Sequence, residues 1–282
     1  MGGSVTKNNG HGPLGEKVRY PDQYDPSCLH AIARQQGRDC LGVAATSALP
    51  FSGVDIWNAY ELSWLSKSGK PKVACAEFRF PADSPNIIES KSFKLYLNSF
   101  NQSRIDDAET VRQTLANDLG LASGADVEVA VHTPTHWTQA YRVADPKGEC
   151  LDELDISPTT YTPAAQLLTL ESDNVVSEVL YSHLLRSRCP VTSQPDWARV
   201  DIRYRGPKIN RQQLLAYIIS FREHDDFHEH CVERMFSDIS KYCQPQSLTV
   251  YARYTRRGGL DINPWRSNDH SQTPSNERDV RQ

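Results

Sequence analysis

The feature that most constrains this chain is a pattern of apolar spacing that occurs twice. In the first half, Lys72 to Phe80 carries enough apolar residues for a strand buried on both faces, ended by Pro81 and Pro85. Phe93, Tyr96, Leu97 and Phe100 then recur at helical spacing from a start near Ser90. Val111, Leu115 and Leu119 stand one turn apart in a second helix from about Asp107 to Leu121, closed by Gly120 and Gly124. Val127, Val129 and Val131 alternate as a strand does. The second half repeats this. Val175 to Leu185 predicts one strand, and Ala198, Val200, Ile202 and Tyr204, alternating with Arg199, Asp201, Arg203 and Arg205, predict another that Gly206-Pro207 closes. Leu214, Leu215, Ile218 and Ile219 form one helical stripe; Cys231, Met235, Ile239 and Tyr242 form a second. Leu248, Val250, Ala252 and Tyr254 form the last long strand. The expectation is an α+β fold of two tandem modules, each an antiparallel sheet with paired helices on one face.

The remaining segments set the boundaries. Residues 1–14 are polar and Gly-rich and are expected to be a mobile tail; 15–133 form the first module. Residues 134–172, rich in Pro, Thr, Asp and Gly, form a connection; 173–268 form the second module, and the polar stretch 269–282 is expected to be disordered. Pro21 to Arg38 mixes aromatic, proline and basic residues without a period and is expected to be an arm lying on a neighbour. The aromatic-dense stretch Pro50 to Leu65 is assigned to core packing.

Composition excludes more than it assigns. A net charge of -4 over 282 residues names no partner, and no basic, aromatic-interleaved patch suggests direct nucleic-acid contact. No apolar run reaches membrane-spanning length and the first residues carry no apolar signal segment, so a cytoplasmic protein without a membrane partner is expected. Seven cysteines, at 28, 40, 75, 150, 189, 231 and 243, form no CxxC or clustered Cys/His spacing. Reduced thiols and no metal are expected. The acidic-histidine run from His224 to His230 is assigned to a solvated helix face.

One stretch carries candidate chemistry: Arg188-Cys189-Pro190-Val191-Thr192-Ser193-Gln194-Pro195-Asp196-Trp197. It places a thiol and a carboxyl on a loop stiffened by two prolines. A buried structural cysteine followed by a turn acid is the commoner explanation of such a stretch, so the loop alone decides nothing. A thiol and an acid on a rigid loop can nonetheless be a reaction centre.

The stretches IIESKSFKLYLNSF, SRCPVTSQPDW, FHEHCVERMF and ARYTRRGGLDINPWRSN together resemble the long, two-module form of the NADPH-dependent 7-cyano-7-deazaguanine reductases, from about Leu14 to Asn268. The resemblance implies the tunnel fold and a homodimer. It also implies reduction of the nitrile of 7-cyano-7-deazaguanine (preQ0) to the aminomethyl compound in tRNA queuosine biosynthesis, with two NADPH consumed as co-substrate. Cys189, helped to ionise by Arg188, would form a covalent thioimide, and Asp196 would deliver the proton, held there by burial near Trp197. Ile88, Glu89, Ser90, His228 and Glu229 would hold the substrate, the carboxylates meeting its in-plane N–H donors. Ser90, Lys91, Arg257 and Gly258 would hold NADPH; no GxGxxG follows a strand, so a Rossmann site is not supported. Two other classes stay open. One is a thiol hydrolase or amidase pairing Cys189 with His228; the other is a noncatalytic tRNA-binding module.

Overall fold

The computed structural model describes residues 20–44 and 47–282, so the expected mobile tail 1–14 lies outside the described residues. In chain order the elements are β1 (Ala31–Ala33), α1 (Gln35–Asp39), β2 (Ser52–Leu65), β3 (Pro71–Pro81), β4 (Asn86–Ile88), α2 (Ser90–Ser99), α3 (Ala108–Ser123) and β5 (Glu128–His132). There follow α4 (Trp137–Ala140), β6 (Glu149–Cys150), β7 (Leu170–Arg188), β8 (Pro195–Ile209), α5 (Arg211–Ser220), α6 (His228–Cys243), β9 (Ser247–Tyr254) and β10 (Leu260–Ser267). The expected repeat is present: a long hairpin, two helices and a return strand, twice.

The two halves share one eight-stranded sheet in the order β5-β3-β2-β10-β9-β8-β7-β6, antiparallel except where β6 meets β7. The join is β10 against β2, from Leu260 opposite Ala59 to Ser267 opposite Ser52. The sequence reading missed both strands. It assigned Pro50–Leu65 to packing only, and it took Leu248–Tyr254 as the last strand. Both elements are buried on both faces, which removes the alternation that marks a strand, and Pro264 in β10 is a residue strands usually exclude. β8 also runs past Gly206-Pro207 to Ile209. Pro207 sits opposite Val175, where the β7 register shifts, a place at which a missing N–H costs little.

All helices of the two repeats cover the same side of the sheet. Phe93, Tyr96 and Phe100 of α2 and Val111, Leu115 and Leu119 of α3 pack on Trp57, Phe78 and Phe80. Leu214, Leu215 and Ile218 of α5 and Cys231, Met235 and Ile239 of α6 pack on Val200, Ile202, Val250 and Ala252. Each helix stripe predicted from spacing therefore faces the core, except at Tyr242, which ends the α6 stripe and stands exposed. Asp107 caps α3 by accepting from Thr110 N at 2.8 Å, and Gly124 closes it at φ 76, a backbone region that favours glycine.

Two expectations are corrected. Pro21–Arg38 lies on its own chain: Asn98 Nδ2 donates to Pro21 O at 2.9 Å, Gln102 N to Asp22 O at 2.8 Å, and β1 pairs with β4. Its partners are scattered polar atoms and single apolar contacts, such as Tyr24 on Tyr96 and Phe100, which leave no period in sequence. Residues 269–282, expected to be disordered, fold back over the helix-free side of the sheet. Asn276 Nδ2 donates to Asn58 Oδ1 at 2.9 Å and Glu77 Oε2 at 2.7 Å, Asp279 accepts from Arg199, and Gln282 Nε2 donates to Tyr254 O and Asn263 Oδ1. Asn58, Arg253 and Asn263 are buried there, and buried polar groups need partners; a polar tail supplies them.

Beneath α6 the helix-side core contains a chain of ion pairs, Arg34–Asp55–Arg266–Glu233–Arg38, all buried. It ties the arm, β2, β10 and α6 together. Glu233→Ala is expected to cost about 3–5 kcal/mol by stranding two guanidiniums. Urea unfolding of the variant against the parent checks this; a loss under about 1 kcal/mol would show the chain to be dispensable.

Candidate active site

Cys189 leaves the end of β7 and Asp196 enters near the start of β8, so the two sit at the tip of one hairpin. Cys189 N donates to Gln194 O and Ser193 N to Cys189 O, both at 2.9 Å, closing a tight turn in which Ser193 takes φ 54. Both side chains are nearly buried, at 8% and 7% exposure, yet both line a cleft. The other walls come from distant elements: Trp57 and Ile262 of the sheet floor, Ile88, Glu89 and Ser90 at the start of α2, and Phe227, His228 and Glu229 at the start of α6, with Arg257 from the β9–β10 turn. The five residues expected to hold substrate and the two expected to do chemistry are thus brought together, from both modules of one chain.

A second cavity of about 180 Å³ shares Glu89, Ser90, Cys189 and Arg257 with the first and adds Lys91, Lys94, Val191, Thr192, Gln194 and Gly258. All four residues expected to hold the cofactor line it. Gly258 has φ 59, and a Cβ there would press on the Lys94 stem at 3.3 Å. Gly259 has φ 75, and a Cβ there would strike Glu61 at 2.5 Å. The turn can pass close to α2 only as glycine.

The electrostatics separate the roles. Burial is the strongest single influence on Cys189 and opposes its ionisation. Hydrogen bonding from the Thr192 hydroxyl, the Val191 and Thr192 amides and Arg257 outweighs it and holds the thiol below its ordinary range. Arg188, the sequence neighbour expected to help, faces elsewhere: its Nη2 donates to Glu223 O at 2.7 Å and Asp225 Oδ2 at 2.8 Å. Arg257 takes its place, reaching Gln194 Oε1 at 2.9 Å and Asp196 Oδ1 at 3.3 Å. Trp197 does not bury Asp196 either. Strand alternation turns its ring to the other face, between Arg186 and Arg222, each 5.4 Å from the centroid.

Around the carboxyl and thiol, burial pushes His228 down to about 4, so its imidazole is neutral at pH 7; its Nε2 is 3.8 Å from Asp196 Oδ2 and its ring stands edge-on to Tyr254 at 4.0 Å. Burial and then the neighbouring Asp55 push Glu229 up to about 7, against the pull of Arg34. Glu89 caps α2, accepting from Lys91 N at 2.8 Å and Ser92 N at 2.7 Å, which fixes the Ser90–Lys91 backbone at the rim of both cavities. The arm locks the same spot, with Glu89 N donating to His30 O at 2.9 Å and His30 N to Ser92 Oγ at 3.0 Å.

The sequence reading missed Lys94, which lines the larger cavity and whose ammonium is made easier to deprotonate by burial and then by Arg257. A signal was available: Lys94 follows Lys91 by three residues on a helix and so shares its face. The run from His224 to His230 is not a solvated face. Asp226 accepts from His230 Nδ1 at 3.0 Å and lies 3.3 Å from His224 Nε2, holding the start of α6 together.

A thiol held below its ordinary range, a carboxyl in the same cleft and an adjoining cavity lined with basic side chains form an arrangement suited to an enzyme that handles a small molecule beside an anionic ligand. Comparison with known proteins makes this specific. Residues 20–131 match the family model described as nitrile reductase, 7-cyano-7-deazaguanine-reductase N-term, and residues 195–273 match that of QueF-like protein. The NADPH-dependent 7-cyano-7-deazaguanine reductases of Chromobacterium violaceum and Bordetella parapertussis are 56% and 57% identical over 96% of this chain and 97% and 98% of their own lengths. That of Azoarcus sp. is 57% identical over 98% of this chain and 99% of its own. The chain belongs to the NADPH-dependent 7-cyano-7-deazaguanine reductase family. A solved archaeosine synthase QueF-Like in the apo form matches 37% of the chain at 18% identity and a TM-score of 0.30, too slight to carry any argument.

Proposed function

We propose that this chain is an oxidoreductase that reduces the nitrile of 7-cyano-7-deazaguanine to the primary amine of 7-aminomethyl-7-deazaguanine, in queuosine biosynthesis. The observation that carries this reading is the convergence of Cys189, Asp196 and Glu229 on one cleft that shares Cys189 with a basic cavity. The Cys189 sulfur adds to the nitrile carbon, and the nitrogen takes a proton from Asp196, giving a thioimide attached to the protein. NADPH, when bound, supplies the two hydrides that carry the carbon to the amine oxidation level. Between them the carbon–sulfur bond breaks, returning the thiolate that Thr192, the loop amides and Arg257 stabilise.

The residues present fit the cofactor. Lys91, Lys94 and Arg257 offer positive charge and Gly258 close backbone approach, without a Rossmann fingerprint. Glu229 meets the two in-plane N–H donors of the deazaguanine, Glu89 and Ser90 add acceptors from the other module, and neutral His228 completes the wall. The cleft is narrow, about 10 Å³, so the flat ring enters by parting its walls. The hydrolase reading is disfavoured because the hydrogen bonds to Cys189 come from Thr192, Val191 and Arg257 rather than from His228.

Two hydrophobic clusters, one under α2 and α3 and one under α5 and α6, support a two-module reading with modules 15–133 and 173–268, and they exchange residues across the join: Phe51 and Ala82 pack with the second cluster, Leu260 and Ile262 with the first. The sheet ends on β5 and on β6, which covers only Glu149 and Cys150, and these edges support closure into the tunnel fold with a second copy as a homodimer. Among the described residues no helix is long and apolar enough to cross a membrane, and all seven cysteines are free, in keeping with a cytoplasmic site of action.

The test is stoichiometry plus a trapped adduct. Two NADPH are expected to be consumed per nitrile, and substrate without NADPH is expected to add its full mass to the peptide containing Cys189. Ammonia release without NADPH consumption would instead establish a hydrolase. A pH effect follows from Glu229. Its carboxyl stands at about 7 in the free protein, and the substrate's donors need the ionised form, so binding below that value must expel a proton. KM for the nitrile is expected to rise roughly tenfold per pH unit below about 7, and Glu229→Gln to flatten that slope while raising KM about 100-fold.

A further inference from the structure

The buried ion-pair chain includes Glu233, one turn along α6 from Glu229, and its charges do not balance. Asp55 accepts from Arg34 Nη2 at 2.6 Å and from Arg266 Nη1 at 2.7 Å. Glu233 accepts from Arg266 Nη2 at 2.9 Å and from Arg38 Nε at 3.0 Å and Nη2 at 2.9 Å. Three guanidiniums face two carboxylates, which leaves one positive charge over in a region where Arg34 is 1% exposed and Asp55, Glu233 and Arg266 are 0% exposed. An uncompensated buried charge is costly, so a sixth partner is called for.

Arg34 is where that partner is missing. Its Nε donates to Ser84 Oγ at 3.0 Å and its Nη2 to Asp55, but its buried Nη1 has no hydrogen-bond partner. Glu229 stands one turn before Glu233 on α6 and so presents its side chain from the same face of that helix. The charged groups acting on it can be named element by element. Asp55 on β2 opposes its ionisation, and Arg34 on the arm and His230 on α6 favour it. Glu89, Asp196, His228, Asp226 and Arg257 share its cleft. His230 is engaged with Asp226, Arg257 with Asp196, and Asp55 with two arginines. The surplus charge behind Glu229 therefore resides on Arg34.

We propose that Arg34 is a positioning residue for substrate recognition: its free Nη1, with the surplus charge of the chain behind it, receives the ionised Glu229 carboxylate from the rear while the deazaguanine N–H donors engage it from the front. The inference rests on Glu229 being the substrate's acceptor. It gives the segment 20–44 a part in the reaction, since ordering the arm places Arg34, and it makes the six-membered charge set neutral in the form that binds substrate. Arg34 acts through Glu229 and touches neither reacting carbon nor cofactor.

The experiment is steady-state kinetics of the full chain with 7-cyano-7-deazaguanine and NADPH across pH 5.5–8.5, for the parent, Arg34→Lys and Arg34→Gln, with thermal midpoints recorded beside. KM for the nitrile is expected to rise in the order parent, Lys, Gln, by about tenfold or more in Arg34→Gln, with kcat within about threefold and KM for NADPH unchanged. The pH at which KM begins to climb is expected to move upward in the same order, by roughly one unit in Arg34→Gln. A destabilised protein lowers the active fraction without moving that pH. Midpoints that coincide in every variant that folds overturn the proposal, and because Arg34→Lys keeps the charge, its smaller displacement decides the matter should Arg34→Gln fail to fold. A parent protein that oxidises no NADPH with the nitrile overturns the reductase reading itself; a competent parent with unmoved variants overturns the role of Arg34 alone.

Discussion

Cys189→Ala is expected to abolish nitrile-dependent NADPH oxidation, by at least about 10⁴-fold, while deazaguanine binding stays within a few-fold of the parent. The size of the effect follows from the chemistry. A nitrile carbon accepts hydride poorly until a nucleophile has added to it, and Cys189 is the one thiol lining the cleft among the described residues. Its environment is built for ionisation: the hairpin turn aims the Val191 and Thr192 amides and the Thr192 hydroxyl at the sulfur, with Arg257 adding charge. A methyl group uses none of this. Calorimetric binding with full loss of turnover and loss of the mass adduct is the expected pattern. Residual turnover above about 1% would show that hydride reaches the nitrile without a covalent bond.

Asp196→Asn is expected to lower kcat by about 10²–10⁴-fold, with a smaller change in KM for the nitrile. Asparagine preserves the shape of the side chain and can still accept from Arg257, whose Nη2 lies 3.3 Å from Oδ1, but it has no proton to deliver to the nitrile nitrogen as sulfur adds. Formation of the adduct should therefore slow along with turnover, measured by quenched-flow mass spectrometry without NADPH. If adduct formation kept its parent rate while turnover fell, the carboxyl would act only after the first hydride, and the proton for addition would come from elsewhere in the cleft. A neutral amide holds Arg257 less firmly than a carboxyl that can ionise, and Arg257 also reaches Gln194 on the thiol loop. A modest further drop in thiol pKa is the expected side effect, visible in the pH dependence of alkylation by iodoacetamide.

The two variants bear on different halves of the site, and their contrast shows how the fold divides the work. Cys189 and Asp196 share one hairpin, so their spacing is set by the β7–β8 ladder, with Arg188 opposite Pro195 and Ser187 opposite Asp196. Glu89, Ser90, His228, Glu229 and the basic cavity come from two helix starts and a glycine turn that belong to other parts of the chain. The arm residues His30 and Arg34 reach both helix starts, one through the α2 cap and one through the charge behind Glu229. Substitutions on the hairpin should therefore change kcat, and substitutions on the arm should change KM.

What could be seen beforehand had local causes. Helix stripes such as Phe93-Tyr96-Phe100 and Val111-Leu115-Leu119 are written by the 3.6-residue period, and each was found packing where that period placed it. Cys189 and Asp196 stood out because two prolines stiffened the few residues between them, and Lys94 was within reach of the same reasoning from Lys91. Errors arose where the deciding partner was remote. Arg188 is adjacent to Cys189 in sequence but is claimed by Asp225 and Glu223, whereas Arg257 arrives from the β9–β10 turn. Alternation along β8 sent Trp197 away from Asp196. The tail 269–282 lacks any apolar period because its purpose is to satisfy Asn58, Arg253 and Asn263.

By itself, then, the sequence determined the repeated α+β unit, the faces its helices bury and the family to which the chain belongs, because periodicity and short motifs are properties of neighbouring residues. Tertiary structure alone decided that β10 joins β2 in one sheet shared by both halves, that Arg257 rather than Arg188 reaches the thiol loop, and that three buried guanidiniums meet two carboxylates beneath α6. Those outcomes depend on desolvation and on charges meeting across distances of a few ångströms between segments far apart in the chain, and neither burial nor such meetings are written in any local pattern.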